Sequence, residues 1–360
     1  MRVLKTDGRS PYRALIGVGG IGTGSFFALE GNQTLGRNES RPGRLLDVRD
    51  YCKLQIVTHY IAKLLGAGEK TFPVLPIGRV GNDASGERLR QEMQAAGMDT
   101  RFVTVVAAKP TLSSVCFQYP DGSGGNITTS NSAAADIRNQ DVDDALRQVT
   151  IGGKQIIALV VPEVPLSVRQ HLISCAHREG ALCAASFVSA EIAQAKQWGI
   201  FDELDLVALN EAEVAEFLGL EPASTEKFVD ACLAVLRDFY PNLRLVVTVG
   251  KRGAYGFENG NWNFCPAPEV QISSTAGAGD ALLAGVISAL AAGVGFIGPR
   301  RGQSETTIST TLEFGVLLAS YSVTSPHTIH PEACLDALAQ FAKDIGRTFS
   351  SEFLERFAEL

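Results

Sequence analysis

Ser273-Ser274-Thr275-Ala276-Gly277-Ala278-Gly279-Asp280 separates a short apolar stretch at 270–272, read as a strand, from a strong helical pattern over 281–292. Glycine at 277 and 279 lets the backbone turn tightly and come close to a ligand. The N–H groups that open the following helix lack intrahelical partners and lie at its positive end, so such a turn makes an anion cradle. Asp280 is held beside that cradle. A carboxylate there can take the proton of a hydroxyl as that hydroxyl attacks a phosphoryl group. The same residues also suit a purely structural role, a tight turn whose Asp280 caps the helix.

Outward from this turn, short runs rich in Val, Ile and Leu alternate with longer helical patterns from about residue 72 onward. Strands are expected at 14–17, 72–77, 155–160, 181–184, 205–208 and 243–248. Helices are expected at 84–96, 166–179, 211–218 and 225–239, the last two opened by Asn210 and Ser224 as N-caps. That alternation builds a parallel sheet covered by helices on both faces, an α/β fold. Two stretches interrupt it. Residues 20–50 are rich in Gly, Arg and Asn, and residues 101–131 read as short strands at 102–106, 113–119 and 126–129 around a turn at 120–125. Together these segments are expected to form a small antiparallel lid. No repeat, low-complexity tract or Pro/Ser-rich linker divides the chain, so residues 1–360 are expected to form a single domain.

Composition narrows the function. Of the 360 residues 45% are hydrophobic, enough for a large core, and 32 basic against 39 acidic side chains give a net charge of −7. That balance offers no general attraction to nucleic acid or to an anionic membrane surface. The seven cysteines are scattered without a Cys-x-x-Cys pair, which fits reduced thiols better than a disulfide framework or a structural zinc site. The five histidines have no His-Glu-x-x-His spacing. The N-terminus lacks the apolar core of a secretory signal, and the apolar run at 281–298 is broken by four glycines; a cytoplasmic, non-membrane protein is expected.

Thr275 to Ala281, with Ala284-Gly285, resembles the C-terminal signature Asp-Thr-x-Gly-Ala-Gly-Asp of the ribokinase, or PfkB-type, carbohydrate kinases. Gly78-Arg79-Val80-Gly81-Asn82-Asp83 with Gly86, then Lys109-Pro110-Thr111, Asn210-Glu211-Ala212-Glu213 and Thr248-Val249-Gly250-Lys251-Arg252-Gly253 follow in the family's order. The resemblance covers about residues 72–330. It implies a ribokinase-like three-layer α/β/α sandwich with a mostly parallel central sheet and a small β-strand lid. It further implies an ATP-dependent, Mg2+-requiring phosphotransferase acting on a hydroxyl of a small sugar or sugar-like metabolite. By resemblance Asp280 is the base, and the backbone at Ala276, Gly277, Ala278 and Gly279 is the anion hole. Asn210 and Glu213 match the motif that organises Mg2+ and the nucleotide phosphates, and Thr248, Gly250 and Gly253 border ATP. On the residues alone, Asn210 and Glu213 equally suit a helix cap and a first-turn acid.

The chain departs from the family on the sugar side. Gly19 to Phe27 and the stretch at 42–47 hold no clear equivalent of the Asp and the Gly-Gly-x-x-x-Asn segment that bind sugar hydroxyls in relatives. Gly19 and Gly20 remain candidates for substrate contact. Arg37, Arg41 and Arg44, with Arg49, suggest an acidic group on the substrate, because guanidinium groups pair with carboxylate or phosphate. Ser274 replaces the first Asp of the signature, so activation by a monovalent cation does not follow. The lid is a candidate homodimer contact. Two other readings stay open. A catalytically inactive, nucleotide-binding family member fits the altered sugar side. Gly17-Val18-Gly19-Gly20-Ile21-Gly22 matches the G-x-G-x-x-G of an NAD-dependent oxidoreductase, although that fold needs a helix opening inside the glycines.

Overall fold

Strands whose two sides are both apolar set the architecture. Ala14, Ile16 and Val18 enter one hydrophobic core while Leu15 enters another, and Ile156, Ala158 and Val160 alternate in the same way with Ile157 and Leu159. With side chains alternating at period two, such strands must be covered on both faces. The computed structural model describes residues 2–6, 10–68, 71–121, 123–149, 151–219, 225–298 and 306–360. In it a nine-stranded sheet runs in the order Asn261–Pro266, Gly253–Glu258, Arg244–Thr248, Leu206–Asn210, Leu182–Ser186, Ile156–Val160, Ala14–Val18, Val74–Gly81, Val103–Val106. The seven strands from Arg244–Thr248 to Val103–Val106 are parallel, and the two at the other edge are antiparallel.

Helices Lys53–Leu65, Ala84–Ala95, Ala278–Ala291, Thr311–Ser322 and Leu335–Asp344 share one core with the sheet. Helices Asn139–Gln148, Leu166–Arg178, Ser189–Gln197, Glu211–Leu218 and Thr225–Phe239 share the other. The result is an α/β/α sandwich, the expected fold class. The apolar run after residue 280 is a buried helix. A Cβ on Gly285 would meet Gly315 Cα at 2.8 Å, so two glycines let Ala278–Ala291 and Thr311–Ser322 pack backbone to backbone. Among the described residues no helix is long and apolar enough to cross a membrane.

Several sequence expectations need correction. The strand expected at 102–106 does not join the lid; Val103–Val106 pairs in parallel with Val74–Gly81 and extends the central sheet. The lid is a separate four-stranded sheet, in the order Gly43–Tyr51, Gly22–Leu29, Leu112–Gln118, Gly124–Thr128. It is mixed rather than antiparallel, because its middle pair, Gly22–Leu29 with Leu112–Gln118, is parallel. Residues 270–272 belong to no strand. The helix expected from 281 begins at Ala278, which puts Asp280 inside its first turn. Ser224 lies outside the described residues. Gly22 opens a lid strand and not a helix, so the glycines at 17–22 have no helix start to offer a pyrophosphate, and the NAD reading loses its structural basis.

Candidate active site

Chain order fixes where a crevice opens. From Ala14–Val18 the chain builds outward through Val74–Gly81 to Val103–Val106, then returns to Ile156–Val160 on the other flank and builds the opposite way. The reversal lies between Ala14–Val18 and Ile156–Val160, and in open parallel sheets ligands bind beyond the strand C-termini at such a switch point. Gly19 and Gly20 leave the first of these strands, and Val161 to Glu163 leave the second. The Gly20 N–H donates to Pro162 O at 3.0 Å. A Cβ on Gly19 would meet Val161 Cγ2 at 2.3 Å, and one on Gly20 would meet Glu163 at 2.5 Å. Both glycines are buried, and in the described structure they serve the close packing of these two loops.

Helix Ala278–Ala291 delivers the signature turn to this crevice. Gly277 sits just before it with φ +79°, and a Cβ there would lie 2.7 Å from Thr328 O, so glycine is required. Gly279, two residues later and inside the helix, has nothing within 4 Å of a hypothetical Cβ and faces open space. Fewer amides are free at this turn than the sequence suggests. The Ala276 N–H donates to Ser274 Oγ at 3.2 Å, and Ala278 N–H donates to Thr275 O at 3.3 Å. Among the described residues the amides of Gly277, Gly279 and Asp280 find no acceptor, which leaves them as free donors at the positive end of the helix.

Asp280 is 7% exposed. Burial raises its carboxyl above the usual range, and Lys53 pulls it back. Lys53 opens helix Lys53–Leu65, and its Nζ lies 3.5 Å from both Asp280 oxygens. The field of Asp280 in turn raises the ammonium pKa. The Lys53 backbone N–H donates to Glu163 Oε2 at 3.0 Å. Burial pushes Glu163 up to about 7, against the opposing pull of Lys53. Glu163 also holds φ +76°, a left-handed conformation that stores strain in a residue other than glycine. Asp50, at the base of the lid, is pushed up to about 6 by burial, and Ser114 Oγ donates to it at 3.4 Å. Gly24 makes room for this carboxylate, since a Cβ there would lie 2.0 Å from Asp50 Oδ2. The lid base is stitched to the signature turn by the loop at 326–330. Tyr51 N–H donates to Thr328 Oγ1 at 3.0 Å, and Thr328 N–H donates to Arg49 O at 3.1 Å.

Asn210 and Glu213 form a capping box at the start of helix Glu211–Leu218. Glu213 N–H donates to Asn210 Oδ1 at 2.9 Å, and Asn210 N–H donates to Glu213 Oε2 at 2.8 Å. The second oxygen of Glu213 is left for other work. Burial raises this carboxyl, and it senses both Lys53 and Asp280, which places it on the same crevice. Asn210 is the direct register partner of Thr248, so the two side chains end neighbouring strands at the crevice rim. Gly250 follows with φ +59° and open space at its Cβ position. Gly253 instead starts the antiparallel strand, where a Cβ would meet Cys265 O at 2.0 Å; its glycine is required by the sheet.

The lid arginines are not brought to this cluster. Arg41 is held within its own loop, with Glu39 Oε1 2.7 Å from its Nη2 and a further bond to Gln33 O. Arg37 is exposed in the same loop. Arg44 pairs with Ala28 at the far end of Gly43–Tyr51, six residues from Asp50. That separation is about 20 Å along a strand. What sequence reading missed is the group Lys53, Asp50, Glu163 and Thr328. The non-glycine residue at positive φ has no sequence signature, and an Asp-x-x-Lys at a helix start looks like ordinary capping and solvated charge.

Comparison with known proteins agrees with the fold. Residues 57–334 match the family model described as pfkB family carbohydrate kinase. Among solved structures, the ribokinase from Cryptococcus neoformans var. grubii serotype A in complex with ADP superposes with a TM-score of 0.70 at 19% identity, covering 91% of this chain and 99% of that one. Arabidopsis thaliana ribokinase, complexed with ribose and ATP, gives 0.64 at 18% identity, with coverages of 96% and 98%. The Burkholderia thailandensis nucleoside kinase in complex with inosine gives 0.67 at 14% identity, with coverages of 93% and 99%. At these identities the likeness is one of fold.

Proposed function

The chain belongs to the pfkB family of carbohydrate kinases, and from that premise we propose that it transfers a phosphoryl group from ATP to a hydroxyl of a small sugar or sugar-like metabolite, with Asp280 as the base. One observation carries this reading: a buried carboxylate stands in the first turn of the helix whose leading amides, Gly277 and Gly279, have free N–H groups. Asp280 takes the proton of the attacking hydroxyl, and the two amides receive the charge on the phosphoryl oxygens. Lys53 opposes the effect of burial on Asp280 and so favours the ionised form that a base needs.

The donor set suits Mg2+, a hard cation that keeps several waters: Glu213 and Asn210 offer oxygen atoms beside the crevice, Glu213 with one oxygen outside the capping box. When bound, the ion neutralises phosphate charge. Thr248 and Gly250 line the rim on which the nucleotide would lie. On this reading Asp50 and Glu163, the carboxylates nearest the cluster, accept hydroxyl hydrogens of a neutral sugar-like acceptor, in place of the acidic one suggested by Arg37, Arg41 and Arg44. The homodimer reading draws on the outer face of the lid, where Leu45, Val115 and Ile127 are 62%, 46% and 71% exposed.

A coupled ADP-release screen over sugars, sugar acids, nucleosides and sugar phosphates, run beside Asp280→Asn, tests the reading. Substrate-dependent ADP formation that falls by about 100-fold or more in Asp280→Asn, with ATP binding kept, is the expected result. ATP binding without turnover on any acceptor would favour the inactive, nucleotide-binding alternative.

A further inference from the structure

Outside the crevice, one cluster has the chemistry of a soft-metal site. His171 and Cys175 stand four residues apart on helix Leu166–Arg178, so they share a face, and Asp143 reaches that face from helix Asn139–Gln148. His171 Nε2 and Asp143 Oδ1 are 2.7 Å apart, His171 Nε2 and Cys175 Sγ are 3.9 Å apart, and all three ligand atoms lie within 4.8 Å of one another. We propose that Asp143, His171 and Cys175 bind one divalent transition-metal ion of the zinc type.

Tetrahedral zinc with bonds of about 2.05 Å to nitrogen and about 2.3 Å to sulfur separates those two ligands by about 3.6 Å, close to the spacing found. The same geometry asks for about 3.3 Å between nitrogen and carboxylate oxygen, so the metal-free His171 and Asp143 pair opens by roughly half an ångström when the ion enters. The Asp143 and His171 side chains are 37% and 27% exposed, which gives an ion a path in. Arg178 Nη2 donates to Cys175 Sγ at 3.4 Å, which holds the sulfur on the shared face. On binding, the Cys175 thiol releases its proton to solvent, and water takes the fourth position.

Imidazole and thiolate select zinc, cobalt or nickel over magnesium and calcium, so this site does not compete for the ion of phosphoryl transfer. It is also remote from it: Cys175 lies nine residues into its helix, about 13 Å from the end that faces Glu163. Bound there, the ion ties two outer helices together. Sequence spacing alone does not show it, because Asp143 comes from a separate helix.

The test is a titration of the nucleotide-free, full-length protein with Co2+. One equivalent should produce the near-ultraviolet sulfur-to-cobalt charge-transfer band, and Zn2+ should displace it. Cys175→Ser, a near-isosteric change, should abolish the band. His171→Ala and Asp143→Asn should each weaken Zn2+ binding by about 10-fold or more. Absence of the band in the wild type, its survival in Cys175→Ser, or unchanged Zn2+ affinity in both His171→Ala and Asp143→Asn would overturn the assignment.

Discussion

Lys53 Nζ stands 3.5 Å from both carboxylate oxygens of Asp280, although 227 positions separate the two residues in the chain. Burial raises the proton affinity of this carboxylate, and the ammonium opposes that rise. The proposed base therefore depends on a residue of a different helix. Lys53→Met should raise the proton affinity of Asp280 further. Because the base works only when ionised, the acid limb of the kcat–pH profile should move up by about 1 unit or more, while Lys53→Arg should hold it nearer the wild-type position. An acid limb that does not move in Lys53→Met would separate Lys53 from the base.

Gly277 and Gly279 should answer alanine in opposite ways. Gly277→Ala forces a Cβ into a left-handed residue and against Thr328 O, and should lower stability by roughly 1–2 kcal/mol or more. Gly279 is helical with open space around it, so Gly279→Ala should fold as well or up to about 1 kcal/mol better. Its methyl would nonetheless intrude on the free amides, lowering kcat/KM by about 10-fold or more. Thermal melts with steady-state kinetics read both effects. Full activity in Gly279→Ala would remove this position from the phosphate contact.

The capping box lets structure and metal dependence be told apart at Glu213. Glutamine keeps an oxygen for the Asn210 N–H but removes the charge, so Glu213→Gln should leave Tm nearly unchanged and raise the Mg2+ concentration for half-maximal rate several-fold. Asn210→Ala loses the cap and should cost about 1 kcal/mol of stability. An unaltered Mg2+ titration in Glu213→Gln would return that residue to the cap alone.

Glu163 gives a stability prediction with a definite sign. Its folded value of about 7 lies above its ordinary 4.5, so between those values the native state binds more protons than the unfolded chain. Stability from this group is therefore greatest at low pH and declines as pH rises through the window. Asp50, raised to about 6, acts in the same direction over its own range. Glu163→Gln cannot ionise, so the drop in Tm from about pH 5 to about pH 8 should be smaller than in the wild type. Identical pH dependence in both proteins would contradict the buried, protonatable state of Glu163.

What the sequence by itself determined is what short-range geometry dictates. The doubly apolar strands from Ile156–Val160 to Arg244–Thr248 demanded helices on both faces, since neither side could meet water. The capping box at Asn210 and Glu213 follows from a spacing of three residues, and the turn at Gly277 from a glycine before a helix. Such features need only neighbours along the chain. The tertiary structure decided the rest. Lid membership turned on which edge each strand could reach, and Val103–Val106 found the free edge of the central sheet. Arg41 was claimed by Glu39 two residues away, whereas Lys53, which the sequence does not single out, became the counter-charge of Asp280. The physical reason is that a charge takes its role from the groups buried around it. In a parallel sheet with a switch point those groups arrive from distant strands, brought to one rim by crossovers that no local pattern specifies.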